Sequence, residues 1–159
     1  MKRRSLLASL PAVFLTGTAS AWAAAPEKSR LPIVDVWKDP SCGCCKFWVE
    51  HMRAHGFQVR QHEDGNQEIR ARLGLPDALG SCHTALVNDY LLEGHIPAED
   101  VLRLLKLGPD AIGLANPGMP IGSPGMDGPA YRGRMDPYSV LLVSKTPGGQ
   151  IKTRVFARH

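Results

Sequence analysis

Asp39-Pro40-Ser41-Cys42-Gly43-Cys44-Cys45-Lys46 gathers three of the four cysteines of a 159-residue chain into four consecutive positions. Before it, Ile33-Val34-Asp35-Val36-Trp37 reads as a strand. After it, Cys45, Trp48 or Val49, and Met52 recur at helical spacing. That spacing predicts a helix over 43–55, ended by Gly56. Pro40 turns the chain between the two elements, and Ser41 or Cys42 is placed to cap the helix. The free N–H groups and partial positive charge of a helix N-terminus stabilise thiolates. A thiolate is both a nucleophile and a soft ligand that selects Cu(I), zinc or iron–sulfur clusters. The stretch therefore points to metal binding or disulfide exchange.

Working outward, residues 57–61 alternate as a second strand, and a short helix runs from Asn66 to Leu73 and stops at Gly74. Thr84-Ala85-Leu86-Val87 and Tyr90-Leu91-Leu92-Glu93 flank Asn88-Asp89, a two-residue turn that predicts a hairpin. Pro97 is expected at the first position of a helix whose apolar face is Val101, Leu102, Leu104 and Leu105. The order β-α-β-α-β-β-α predicts an α/β, thioredoxin-like core over 31–107 with the cysteines at its active-site corner. Residues 108–137 are rich in glycine and proline, carry Met119, Met126 and Met135, and read as a long loop. Strands over 139–143 and 150–156 form a last hairpin around Pro147-Gly148-Gly149. The second strand alternates as a half-buried strand should. The expectation is a methionine-rich loop and hairpin over 108–159 packed on the core.

Residues 1–23 read as a cleaved signal peptide: a basic start at Lys2-Arg3-Arg4, an apolar run from Leu6, and small residues at Ala19-Ser20-Ala21 or Ala21-Trp22-Ala23. The apolar run is short and holds Pro11 and Gly17, which argues against a membrane anchor. The arginine pair leaves the general secretory and twin-arginine routes both open. Residues 24–30 are expected to be a disordered leader. Once Lys2, Arg3 and Arg4 leave, the formal charge falls from +4 to +1 and no basic block remains, so nucleic acid is excluded as a partner. Exported cysteines are expected to pair. However, neighbours such as Cys44 and Cys45 bond each other poorly. Clustering three and placing Cys82 far along suits a site better than a staple.

The hairpin turn places Thr84 opposite Glu93, and continued back it sets Cys82 opposite His95, with Cβ atoms roughly 5 Å apart if the ladder reaches that far. In thioredoxin-like folds a cis-proline stands just before a threonine at this point. Here His83 holds the position, which replaces a substrate-shaping residue with potential ligands. Four thiols and one or two imidazoles can thus converge, although His95 can equally serve the turn before Pro97. His51 and His55 are too far along the helix to join them, the nearer being ~9 Å past Cys45 at the helical rise. They read as solvated surface histidines. Met119 and Met126 sit in matched Pro-Gly-Met settings, and thioethers bind Cu(I).

Taken together, the cysteine stretch with Trp48, Cys82-His83-Thr84, Glu93-Gly94-His95-Ile96-Pro97-Ala98 and Pro117-Gly118-Met119-Pro120-Ile121-Gly122-Ser123-Pro124-Gly125-Met126 resemble the CopG-type periplasmic copper-handling family. The match runs down to Val155-Phe156-Ala157-Arg158. The resemblance implies a thioredoxin-like fold and a periplasmic location. It also implies Cu(I) held by Cys42, Cys44, Cys45 and Cys82, with a multinuclear copper–thiolate cluster as one form. A role in copper resistance and redox cycling of copper go with it. His83, His95, Met119 and Met126 complete the candidate ligand set, with imidazole suited to Cu(II). Expected partners are copper ions and other periplasmic copper-efflux or copper-oxidase proteins.

Two other functions compete. A thiol-disulfide oxidoreductase would use Cys42 and Cys45, against which stand Cys44 and the missing cis-proline. A structural four-cysteine zinc site is disfavoured because adjacent ligands close a tetrahedron awkwardly. The sequence leaves open whether copper redox is catalysed and whether the cysteines rest as a disulfide.

Overall fold

The computed structural model describes residues 30–159, so the expected signal peptide and nearly all of the leader lie outside the described residues. The chain forms β1 (Ile33–Lys38), α1 (Gly43–Ala54), β2 (Gln58–His62), α2 (Gln67–Arg72), β3 (His83–Val87), β4 (Tyr90–Glu93), α3 (Ala98–Leu107), β5 (Gly113–Ala115), β6 (Ser139–Lys145) and β7 (Ile151–Arg158). The strands join one seven-stranded sheet in the order β2-β1-β3-β4-β5-β6-β7. β1 and β2 are parallel, and β3 runs antiparallel to both β1 and β4. This is the expected α/β, thioredoxin-like arrangement, extended at one side by three further strands. No described helix is long and apolar enough to cross a membrane.

Period-2 alternation sorts the sheet residues onto two faces. Val34, Val36, Ala85, Val87, Leu92, Leu114, Val140 and Leu142 pack with Trp48, Val49 and Met52 of α1 and with Val101 and Leu104 of α3. Leu91, Ala115 and Val143 point the other way and pack with Leu73, Leu75 and Leu79 from the segment after α2. The helical face foreseen in α1 is the buried one: Cys45, Trp48, Val49 and Met52. Asn88 takes a positive φ of 51°, as a two-residue hairpin turn requires, and Val87 pairs with Tyr90.

Several expectations need correction. The stretch after α3 is not all loop, because β5 is a central strand between β4 and β6. It spans three residues, all buried, so neither length nor alternation could announce it. Gly113 shows why the residue there must be small: a Cβ would fall 1.8 Å from Leu91 O, and φ is +154°. β7 is not half-buried. Lys152, Thr153, Arg154 and Val155 are all exposed, and β7 is the sheet edge. Pro97 is the N-cap of α3 rather than its first residue.

His51 is also not a solvated surface group. Its Nε2 accepts the Ala98 N–H at 3.0 Å, which satisfies a donor in the first turn of α3. Burial, then the neighbouring His55, holds the His51 pKa below its ordinary 6.5, while Glu99 and Asp127 pull it back up.

Two outcomes follow. Gly113→Ala should destabilise the protein by about 3 kcal/mol, and a denaturation midpoint shift worth under about 0.5 kcal/mol would contradict the close approach of β5 to β4. His51 binds its proton at lower pH in the folded than in the unfolded chain, so its contribution is present above 6.5 and is lost as pH falls below that value. Thermal unfolding followed from about pH 7.5 to about pH 5 should therefore be less pH-dependent in His51→Gln than in the parent, and identical slopes would remove this role.

Candidate metal centre

The site lies where the start of α1 meets the start of β3. Cys42 is the N-cap of α1, with extended backbone, and its side chain makes no capping bond to the helix. Its sulfur is thus left to the site. Asp39 O accepts the Cys42 N–H at 3.0 Å, and Asp39 Oδ1 accepts the Ser41 N–H at 2.8 Å, which closes the turn between β1 and α1. Cys44 and Cys45 follow in the first turn. The ladder between β3 and β4 runs back to Thr84↔Glu93, and His83 O then accepts the Gly94 N–H at 2.9 Å. Cys82 and His95 lie just past its end and meet through their side chains, Cys82 Sγ to His95 Nε2, at 3.0 Å.

All four sulfurs lie within 4.8 Å of one another. Cys42 and Cys45 form a disulfide, while Cys44 and Cys82 are free. Cys44 Sγ is 3.5 Å from Cys42 Sγ and 3.8 Å from Cys82 Sγ, and Cys45 Sγ is 3.5 Å from Cys82 Sγ. Burial, and then the nearby Cys44, pushes the Cys82 thiol up to about 12. Cys82 therefore rests as a thiol, hydrogen-bonded to a neutral imidazole.

Two imidazoles back the sulfurs. His95 Nδ1 is 2.7 Å from Pro124 O, a pure acceptor, so Nδ1 carries the proton and Nε2 faces Cys82 with its lone pair. His83 is fully buried; its Nδ1 is 3.5 Å from Cys82 Sγ and its Nε2 has no partner among the described residues. Burial holds both imidazoles below the ordinary range, and His95 adds to the effect on His83. Each is thereby kept neutral, the form that ligates metal. Cys82, His83 and His95 place one donor atom each within 4.8 Å, so Cys82 belongs to two donor groups at once. Four clustered sulfurs with His83 Nδ1 and His95 Nε2 against one of them fit a soft or borderline ion.

The scaffold is made by residues outside the candidate ligand set. Trp48 Nε1–H donates to Ile96 O at 2.9 Å and Asn116 Nδ2 donates to His95 O at 3.0 Å, so the segment bearing His95 is held from both sides. Glu93, fully buried, accepts the Ser81 N–H at 2.7 Å and the Thr84 hydroxyl at 2.5 Å, with Arg70 at 3.4 Å. It fixes the peptide just before Cys82. Burial raises the Glu93 pKa and these bonds oppose the rise. No cis peptide occurs among the described residues, so His83 stands in a trans segment where a cis-proline was noted as missing.

The two candidate methionines stand in different surroundings. Met126 is buried, and its sulfur accepts the Tyr131 O–H at 3.2 Å. Met119 is exposed. What the Pro-Gly-Met loop brings to the site is backbone: Pro124 O on His95, and Gly125, where a Cβ would sit 2.5 Å from Cys44 O and 2.9 Å from Trp48 N. His51 and His55 stay apart from the sulfurs. They group with Glu99, but Ala98 N–H occupies the His51 nitrogen.

Comparisons with known proteins agree with this geometry. A family model described as "Protein of unknown function, DUF411" matches residues 79–126, the half of the site that carries Cys82, His83 and His95. Two solved structures of a copper resistance protein CopG are similar to the chain. Form 2 is 41% identical with a TM-score of 0.70, covering 81% of this chain and 98% of its own. Form 1 is 42% identical with a TM-score of 0.69, covering 80% and 98%. No protein of curated function matches the sequence.

Removing the Glu93 carboxylate strands the Ser81 N–H, the Thr84 hydroxyl and Arg70 together. Glu93→Ala should cost about 3 kcal/mol in a denaturant titration. A loss under about 0.5 kcal/mol would mean that the carboxylate does not hold the Cys82 segment.

Proposed function

The chain belongs to the family of copper resistance protein CopG, and from that membership we propose that it is a periplasmic protein that binds Cu(I) through Cys42, Cys44, Cys45 and Cys82. The observation that carries the reading is the convergence of four sulfurs within 4.8 Å at a helix N-terminus. Thiolates prefer Cu(I) to harder ions, and the helix end favours the ionised form of Cys42, Cys44 and Cys45. Four sulfurs so close can bridge more than one ion, which makes a multinuclear cluster the form expected at saturation. Full use of the set requires reduction of the Cys42–Cys45 disulfide. His83 and His95 would serve as ligands when copper is Cu(II), as imidazole suits that ion. Met119 and Met126 would add thioether contacts to Cu(I). The role we assign is copper resistance, with other periplasmic copper-efflux or copper-oxidase proteins as partners.

A second reading is favoured by one observation. Cys42 and Cys45 are disulfide-bonded across a C-x-x-C at a helix start, the arrangement of a thiol-disulfide oxidoreductase. Against it stand the third cysteine of the motif and His83 in place of the cis-proline.

Anaerobic Cu(I) titration of the reduced protein, with competing zinc, separates the two. The expected result is more than one Cu(I) per chain retained against zinc, and a lower stoichiometry in Cys42→Ser and in Cys82→Ser. Unchanged copper binding in both variants would sink the copper reading. Turnover of a peptide disulfide without copper retention would transfer the function to the second.

A further inference from the structure

The Cys42–Cys45 disulfide closes half of the donor set, and the fold holds a group able to open it from within. Cys82 Sγ stands 3.5 Å from Cys45 Sγ, a bonded member of that disulfide. Its thiol faces the lone pair of His95 Nε2 at 3.0 Å. Pro124 O fixes the tautomer of His95 from the other side at 2.7 Å. A nucleophile within reach of a base, the base oriented by a third group, is the general arrangement of an activated thiol. Because all four sulfurs lie within 4.8 Å of one another, Cys82 Sγ stands beside the Cys42–Cys45 bond, and a turn of its side chain brings it into line for attack on Cys45.

We propose that Cys82, with His95 as its base, catalyses an intramolecular thiol–disulfide exchange that moves the disulfide from Cys42–Cys45 to Cys45–Cys82. Cys82 sulfur forms the new bond to Cys45 sulfur as the Cys42–Cys45 bond breaks, and the electron pair leaves on Cys42. The Cys82 proton passes to His95 Nε2 and then to the Cys42 thiolate, so no external oxidant or reductant is consumed. The departing thiolate sits at the N-cap of α1, where a helix N-terminus stabilises negative charge. The product frees Cys42 beside Cys44, whose sulfurs are 3.5 Å apart, and leaves a dithiol pair near the surface. For a protein that takes up Cu(I), that pair would be a first landing site. This use rests on the copper reading above, whereas the exchange itself does not.

The test uses metal-free full-length protein oxidised to one disulfide. Samples are quenched with acid at timed intervals, capped with N-ethylmaleimide and mapped by peptide mass spectrometry. The expected result is two interconverting isomers, one capped at Cys44 and Cys82 and the other at Cys42 and Cys44. In Cys82→Ser, capping of Cys42 should disappear. In His95→Gln, interconversion should slow by about 100-fold with the final isomer ratio unchanged. A parent protein in which Cys42 is never capped would overturn the proposal. Capping of Cys42 that persists in Cys82→Ser would also overturn it, and would assign the exchange to Cys44. An unchanged rate in His95→Gln would overturn the role of the base. If His95→Gln does not fold, the parent and Cys82→Ser maps still decide. Because no copper is present, failure of the copper reading leaves this result standing, and the reverse also holds.

Discussion

β3 pairs with β1 at Lys38↔His83 and with β4 at Thr84↔Glu93, and this double register decides where Cys82 lies. A slip of one residue in either ladder would turn every side chain of β3 to the opposite face. Cys82 would then leave the sulfurs of α1, and His83 would leave Trp48, whose ring centroid is 4.4 Å from its own. The register is held from three directions. The Asn88-Asp89 turn sets it at one end. The buried Glu93 ties β4 to Ser81 and Thr84 at the other. Asn66 Nδ2 adds bonds to Ser81 O and Thr84 Oγ1, each 3.2 Å long. The site is therefore a consequence of strand pairing before it is a consequence of cysteine chemistry.

Much of this was legible in the sequence, and the reason is local. The C-x-C-C stretch, the helical spacing of Cys45, Trp48 and Met52, and the two-residue turn at Asn88-Asp89 each act over a few residues. The hairpin arithmetic placed Cys82 near His95 because a two-residue turn leaves one register to count from. What was illegible depends on long-range contact. β5 is a strand because β4 and β6 flank it, and Gly-Leu-Ala alone offers no alternation to read. Glu93, the last residue of its strand, is a fully buried carboxylate with Arg70 of α2 at 3.4 Å, a contact that no local pattern announces. The methionines drew attention as soft ligands, yet the parts of their loop that touch the site are Pro124 O and Gly125. No residue-type rule singles out a carbonyl or an absent Cβ. His51 looked solvated because the helix it caps starts nearly fifty residues later.

The site combines opposing electrostatic demands. Burial disfavours charge on Cys82, His83 and His95 alike. The helix end favours it at Cys42 and its neighbours. Without an ion the balance is met by a neutral thiol–imidazole pair and a disulfide. A cation at the centre reverses the sign of the preference by compensating thiolate charge. His83 Nε2, buried behind the thiol–imidazole pair, has no hydrogen-bond partner among the described residues.

The open sheet has a further consequence at its margins. Its outer strands are β2 and β7, and an unpaired strand edge is a template for another chain. β7 carries Lys152, Arg154 and Arg158, so two molecules meeting at this edge repel before their backbones can pair, whereas on β2 Arg60 is paired with Asp35. Such guarding of the β7 margin limits fibre-like association while the sulfurs are still finding their partners.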